Sequence, residues 1–280
     1  MSDVAEPPSH TFAETLSQLL TTQSFGKPLH FFPTIDSTNV YAVRLARAGA
    51  PAGTVVIADE QTGGKGRLGR SWVSPPGVNL YLSLILRPPV TTAAAPQLNL
   101  LAAVAVADAI LAVSGLTPSI KWPNDVLVDG KKVCGILAEM QTEAGVLRSV
   151  VLGIGINVNA PLSAFPLELH DKASSLFLTG GRVIERTAFT AALLTHLEKF
   201  YVLWLEHGFL AVRPVWERHA AALMGRFITV AAPEGTIAGV VLGLDSDGAL
   251  LLQEGSGGMS RRVLAGDVTV VGGYARGEQS

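Results

Sequence analysis

The chain has 280 residues, 48% of them hydrophobic, which suits one large domain with room for a small second one and excludes a disordered protein. A formal charge of -2 offers no general basic field for nucleic acid, so any polyanion would have to be met locally. The single cysteine, Cys134, excludes an intramolecular disulfide framework and fits a reducing compartment, and the six histidines show no H-x-x-x-H spacing or cysteine partner for zinc.

The opening "MSDVAEPPSH" has two acids and two prolines and resembles neither a signal nor a transit peptide. A short helix is expected over residues 11–24, then a strand at "LHFFP". In "TIDSTNVYAVRLARAG", Asp36 or Ser37 can cap a helix that Gly49 ends. The strand "GTVVIAD" leads into a glycine loop and "VNLYLSLIL" leaves it. The longest apolar run, "LNLLAAVAVADAILAV", is short for a membrane span and contains Asp108, so a buried helix over about 95–114 in a cytoplasmic protein is expected. Residues 119–159 hold three strand-like runs joined by turn signals at Asp129-Gly130 and Glu143-Ala144-Gly145. Consecutive antiparallel strands point to an α+β fold rather than a doubly wound sheet. Residues 160–181 read as a loop and 184–222 as helix broken near Gly208 and Pro214. After Gly225 come short strands at "RFITVAA", "GTIAGVVLGLD", "GALLLQ" and "SRRVLAGDVTVV", a small barrel or sandwich that is expected to dock on the larger domain.

Five stretches are unusually polar or glycine-rich. In "EQTGGKGRLGRSW", Gly64, Gly66 and Gly69 have the G-x-G-x-x-G spacing. However, Pro75, Pro76 and Gly77 follow where a dinucleotide loop must open a helix, and no Ser or Thr follows a Gly-Lys pair as a Walker A loop requires. What remains carries Lys65, Arg67 and Arg70 with no acid between Gln61 and Trp72: a wrap for an anion, or a solvated loop. "DSTN" at 36–39 offers hydrogen bonders at a helix start, for a ligand or merely as caps. "KWPND" sets Lys121, Asn124 and Asp125 around a proline turn. In "GKKVCGILAE", alternation puts Lys132, Cys134 and Ile136 on one face and Lys131, Val133, Gly135 and Leu137 on the other. One lysine then points into a covered place, or snorkels to solvent. In "GIGINVN", Gly153 and Gly155 weaken a strand unless a backbone or ligand must come close, and Asn157 sits beside that place. Cys134, before Gly135, reads as a small buried thiol.

The order DSTN, E-Q-x-x-G-K-G-R-x-G-R-x-W, K-W-P-N-D, K-x-x-G-I-L-x-E, G-I-G-I-N-V-N resembles the biotin protein ligases over about residues 30–275. That resemblance implies an α+β catalytic domain of class II synthetase-like, biotin/lipoate ligase type over 28–223, with a mixed or antiparallel sheet flanked by helices. It implies a small C-terminal SH3-like β-barrel over 224–280 and a short N-terminal extension over 1–27. The implied activity is ATP-dependent formation of biotinyl-5'-AMP with release of pyrophosphate, then transfer of biotin to one lysine of a biotin carboxyl carrier domain. By similarity, Lys132 and Arg67 are catalytic, set against the biotin carboxylate and the phosphate. Ser37, Thr38, Asn39, Gln61, Gly64, Lys65, Gly66 and Gly135 join them in the biotin pocket. Arg70, Trp72, Lys121, Asn124 and Asn157 fall on the ATP and adenylate side, with Mg2+ implied by ATP and Asp125 one possible ligand. The usual family form has arginine where this chain has Lys65, which cannot make a bidentate fork. About 27 residues before the first core strand are too few for a winged helix, so no DNA partner is expected; no membrane partner is expected either, and the protein would act as a monomer or homodimer. The competing readings are a lipoate ligase-like acyltransferase and a non-catalytic biotin sensor.

Overall fold

The computed structural model describes residues 9–233, 235–255 and 260–270. Its centre is a seven-stranded sheet in the order β1-β2-β3-β7-β6-β5-β4. The strands are β1 (Leu29–Ile35), β2 (Val55–Gln61), β3 (Leu80–Leu86), β4 (Pro118–Lys121), β5 (Asp125–Val128), β6 (Lys131–Glu143) and β7 (Val146–Ile156). Among these seven strands only β1 and β2 run parallel, because α2 (Thr38–Arg47) crosses between them; short hairpins join β4 to β5, β5 to β6 and β6 to β7, while the glycine loop links β2 to β3, so the sheet is mixed as expected. The region expected to hold three strands holds four, since the K-W-P-N-D turn, with a cis Trp122–Pro123 bond, separates β4 from β5.

The two faces of the sheet are covered unequally. One packs on α1 (Ser9–Leu19), α3 (Gln97–Ser114), α5 (Arg186–His207) and α6 (Phe209–His219), which share the main core with Leu16, Leu84, Leu152 and Phe189. Every fully buried Leu, Val, Ile or Phe there contributes about 1.5–3 kcal/mol. The helix over Thr92–Ser114 is long and apolar enough to cross a membrane, but 67% of that stretch is buried between sheet and helices. On the other face Ala42 and Ala46 of α2 sit on Val56, Ile85 and Val151 at one end. Beyond the N-terminus of α2 that face is open, and the cavity described below occupies it.

A five-stranded antiparallel sheet follows in the order β11-β10-β9-β8-β12. Its strands are β8 (Phe227–Ala232), β9 (Gly235–Leu244), β10 (Leu250–Gln253), β11 (Ser260–Val263) and β12 (Asp267–Val270). The final expected run is two strands, broken at Gly266, where φ is 154°. This sheet packs on the larger unit through the turn after β4 and the start of α3: Trp122 Nε1 donates to the Gly248 carbonyl at 3.4 Å and Gln97 Nε2 to the Asp247 carbonyl at 3.2 Å.

Two local expectations need correction. Gly208 separates α5 from α6, but Pro214 lies inside α6. It costs only the bond to the Leu210 carbonyl, while buried Phe209, Val212, Trp216 and His219 hold the helix down. The expected loop over 160–181 includes a short helix, α4 (Leu176–Gly180), capped by the Ser175 hydroxyl.

Candidate active site

Strand register builds the floor of the site. Tyr81, Gly155, Gly135 and Asp125 form one row across β3, β7, β6 and β5; Ser83, Gly153 and Leu137 form the next. Alternation along β6 predicts Lys132 and Gly135 on opposite faces, and the structure overturns this. The β5–β6 register shifts between Val126 and Leu127, which pair with Cys134 and Lys132, so Val133 is an extra, bulged residue. Val133 and Cys134 are therefore both buried in the core, and Lys132 joins Gly135 and Asp125 on the open face. The Lys132 backbone is held by the chain that follows: its N–H donates to the Lys172 carbonyl at 2.9 Å and its carbonyl accepts from Ser174 N at 3.0 Å. Asn157, also buried, fastens that segment through Nδ2 to the Ser174 carbonyl at 3.0 Å.

The two strand glycines admit side chains, not a backbone. A Cβ on Gly153 would lie 2.1 Å from Asn39 Oδ1, and one on Gly155 2.6 Å from Trp72 Nε1. Trp72 thus lies across the glycine row, its indole nitrogen buried without an acceptor among the described residues, and Lys132 Nζ sits 5.4 Å over its ring.

Above this floor is a cavity of 480 Å³, within the 300–1,000 Å³ usual for small-molecule sites. Ser37, Thr38, Asn39, Gln61, Lys65, Gly66, Arg67, Arg70, Trp72, Lys121, Asn124, Lys132, Gly135 and Asn157 all line it. Gly64 does not: it lies behind, where a Cβ would meet the Trp72 carbonyl at 2.5 Å.

One end of the cavity is neutral. Thr38 donates from both N and Oγ1 to Gln61 Oε1, at 2.9 and 3.0 Å, and Gln61 Nε2 donates to Ser74 Oγ at 3.1 Å. Ser83 Oγ lies 2.8 Å from Thr38 Oγ1 and 2.5 Å from Asn39 Oδ1, while Asn39 Nδ2 donates to Glu139 at 2.8 Å. Because Gln61 Oε1 is occupied by Thr38, its second N–H is the group left to meet a ligand carbonyl. Ser37 holds the N-cap position of α2 without a side-chain cap bond, so its hydroxyl is not consumed in capping.

The other end is cationic. Lys132 Nζ pairs with Asp125 at 2.7 Å. Arg67 donates to Asn124 Oδ1 at 2.7 Å and to the Gly266 carbonyl at 3.2 Å, and lies 3.3 Å from Asp267, which also takes Arg70 at 2.7 Å. Burial holds the Lys121 ammonium below the usual lysine range; Asp125 opposes that shift and the Lys132 charge adds to it. Burial also pushes the Cys134 thiol upward, which leaves it a packing group. The glycine loop is folded on itself, with Gly66 N donating to the Arg70 carbonyl at 2.7 Å and Leu68 exposed at positive φ (56°).

Sequence reasoning missed Asp267 and Ser83, as well as the Phe165, Leu169 and Lys172 wall. Ser83 had a signal, being a lone hydroxyl in the apolar strand LYLSLIL; Asp267 had none, since nothing local ties the first residue of β12 to a loop nearly 200 residues earlier.

Residues 31–157 match the biotin/lipoate A/B protein ligase family, and residues 223–271 match the biotin protein ligase C-terminal domain. The Bacillus spizizenii bifunctional ligase/repressor BirA is 44% identical over 238 residues, covering 85% of this chain and 73% of that protein. A Paracoccus denitrificans biotin--[acetyl-CoA-carboxylase] ligase is 35% identical over 226 residues, covering 79% of this chain and 92% of the other. The solved Aquifex aeolicus biotin protein ligase, in complex with biotin and ATP, superposes with a TM-score of 0.75 at 30% identity over 88% of this chain and 99% of that one. With its glycine-arginine loop, its lysine on a bulged strand and both of these matched domains, the chain belongs to the biotin protein ligase family.

Proposed function

We propose that the protein activates biotin with ATP to biotinyl-5'-AMP, releasing pyrophosphate, and transfers the biotin to one lysine of a biotin carboxyl carrier protein. The observation that carries this is the polarity of one cavity, a neutral hydrogen-bonding chain at one end and a cluster of cations that includes Arg67, Arg70, Lys121 and Lys132 at the other. A ureido ring needs paired donors and acceptors without charge, while a carboxylate attacking an α-phosphate needs cations fixed where the two anions meet. In this reading Ser37, Thr38, Asn39 and Gln61 hold the ureido group. Leu127, Gly135 and Leu137 line the apolar stem, and Trp72 covers it. Lys132 and Arg67 lie against the carboxylate and α-phosphate, and Arg70 and Lys121 against the polyphosphate. Asn124 orients Arg67, and Asn157 secures the strap behind Lys132. Lys65, with a compact ammonium in place of a guanidinium fork, acts as a point charge at the rim, and Gly64 and Gly66 let the loop fold close.

Magnesium arrives with ATP as part of the substrate. Asp125 and Asp267 are the carboxylates lining the cavity; Asp267 is taken up by Arg67 and Arg70 and Asp125 by Lys132, so a magnesium ion would be held mostly by phosphate and water, with Asp125 the one carboxylate that would serve it. We further propose a cytoplasmic protein with a catalytic unit over 28–223 and a C-terminal unit over 224–280. The test is the intact mass of a purified carrier domain incubated with the protein, biotin and MgATP. One biotinyl addition, dependent on ATP and lost when the carrier lysine is replaced by arginine, is expected. No addition would contradict the reading.

A further inference from the structure

Asp267 belongs to β12 of the C-terminal sheet and not to the sheet on which the cavity is built, yet it faces the cavity and holds two of its cations. Its carboxylate is 3.3 Å from Arg67 and 2.7 Å from Arg70, and Gly266 beside it offers its carbonyl to Arg67 at 3.2 Å. This acceptor pair is rigidly presented: a Cβ on Gly266 would fall 2.5 Å from Val230 Cγ1 and 2.9 Å from the Ala231 carbonyl, so the turn is pressed flat against β8. Two guanidinium groups converging on one carboxylate is the arrangement that a phosphate would otherwise receive. A second small cavity of 200 Å³ adjoins the first, with Arg70, Lys121 and Asp267 in its wall.

Building on the function proposed above, we infer that Asp267 is a stand-in anion. It occupies Arg67 and Arg70 while the site is empty, and the polyphosphate of ATP must take both cations from it. The C-terminal sheet therefore sets the apparent affinity for ATP. An occupied state that excludes the ligand lowers apparent affinity in proportion to its population, and a carboxylate left beside bound phosphate adds repulsion. The bonds made within the loop itself are backbone ones, such as Gly66 N to the Arg70 carbonyl and Trp72 N to the Gly64 carbonyl at 2.9 Å, so Asp267 is the side-chain contact that ties Arg67 and Arg70 down to the C-terminal sheet. Asp267 is thus a positioning residue that acts through the two arginines.

Asp267→Asn tests this with two readouts. The KM for MgATP in pyrophosphate release should fall about three- to tenfold while that for biotin stays level, and Asp267→Glu should restore the parent value. Trypsin, which must pull Lys65, Arg67 or Arg70 away from its partners, should cut the ligand-free Asn variant several-fold faster than the parent, and inorganic pyrophosphate should protect both. An equal or higher KM for ATP, or cleavage no faster than the parent, overturns the proposal. Should the Asn variant not fold, the parent's own loop should be cut faster as salt screens the exposed Arg70 pair, with trypsin activity normalised on a small substrate; cleavage indifferent to salt overturns it. If the parent releases no pyrophosphate at all, the assigned activity fails, and the trypsin comparison still decides the clasp.

Discussion

Gly153→Ala is the substitution whose cost the geometry defines most sharply. The added methyl would sit 2.1 Å from Asn39 Oδ1 and 2.7 Å from its Cγ, closer than any non-bonded contact allows, so Asn39 has to leave. Asn39 is buried and held at both ends, by Ser83 at 2.5 Å and Glu139 at 2.8 Å. Losing a neutral hydrogen bond costs about 0.5–1.5 kcal/mol and one to a charged group about 1.5–3 kcal/mol. Against this, alanine in a strand gains about 0.5–1 kcal/mol over glycine, and Gly153 has no positive φ to strain it. The net expectation is a loss of about 1–4 kcal/mol in urea unfolding, and a rise in the KM for biotin of at least tenfold as the Thr38–Ser83–Asn39 chain is displaced. Asn39→Ala in the same background removes the obstacle, so the cycle should show a favourable coupling of about 1 kcal/mol or more. A Gly153→Ala protein with the parent's urea midpoint and the parent's KM would refute the packing argument.

Other outcomes follow from the same geometry. Lys132→Ala should fold with a urea midpoint near the parent's, since the side chain is partly exposed, yet lose biotin-dependent pyrophosphate release by at least a hundredfold. Glu198 accepts from the N–H groups of Gln23, Ser24 and Phe25; burial raises its carboxyl pKa, these bonds outweigh that, and it ends below the usual glutamate range. A group depressed on folding contributes stability above its unfolded pKa and loses it as pH falls through the folded value. Urea midpoints of parent and Glu198→Gln should therefore differ at pH 7 and converge as the pH drops below the glutamate range. Cys134, wholly buried with its thiol pKa raised, should resist iodoacetamide in the native protein at pH 7.5 and react once urea unfolds it.

Much of the fold was legible because its signals are local. Alternation and the turns at Asp129-Gly130 and Glu143-Ala144-Gly145 gave the hairpins, and both turn alanine and aspartate do adopt positive φ. The candidate site residues are picked out largely by the order of motifs, and all of them except Gly64 line the same cavity. What stayed hidden is tertiary. The bulge at Val133 leaves no mark in a run that reads as regular alternation, yet it decides which lysine shares a face with Gly135. The glycines at 153 and 155 announced a close approach, but only the fold shows that Asn39 and Trp72 make it. Pro214 reads as a break, and buried residues on both sides of it override that local preference.

The most direct test of the account is pyrophosphate release from the purified protein with MgATP, comparing biotin, lipoate and no added acid. The account predicts release that requires biotin, is absent with lipoate and disappears in Lys132→Ala. Release with lipoate but not biotin, or none with either acid, would contradict it.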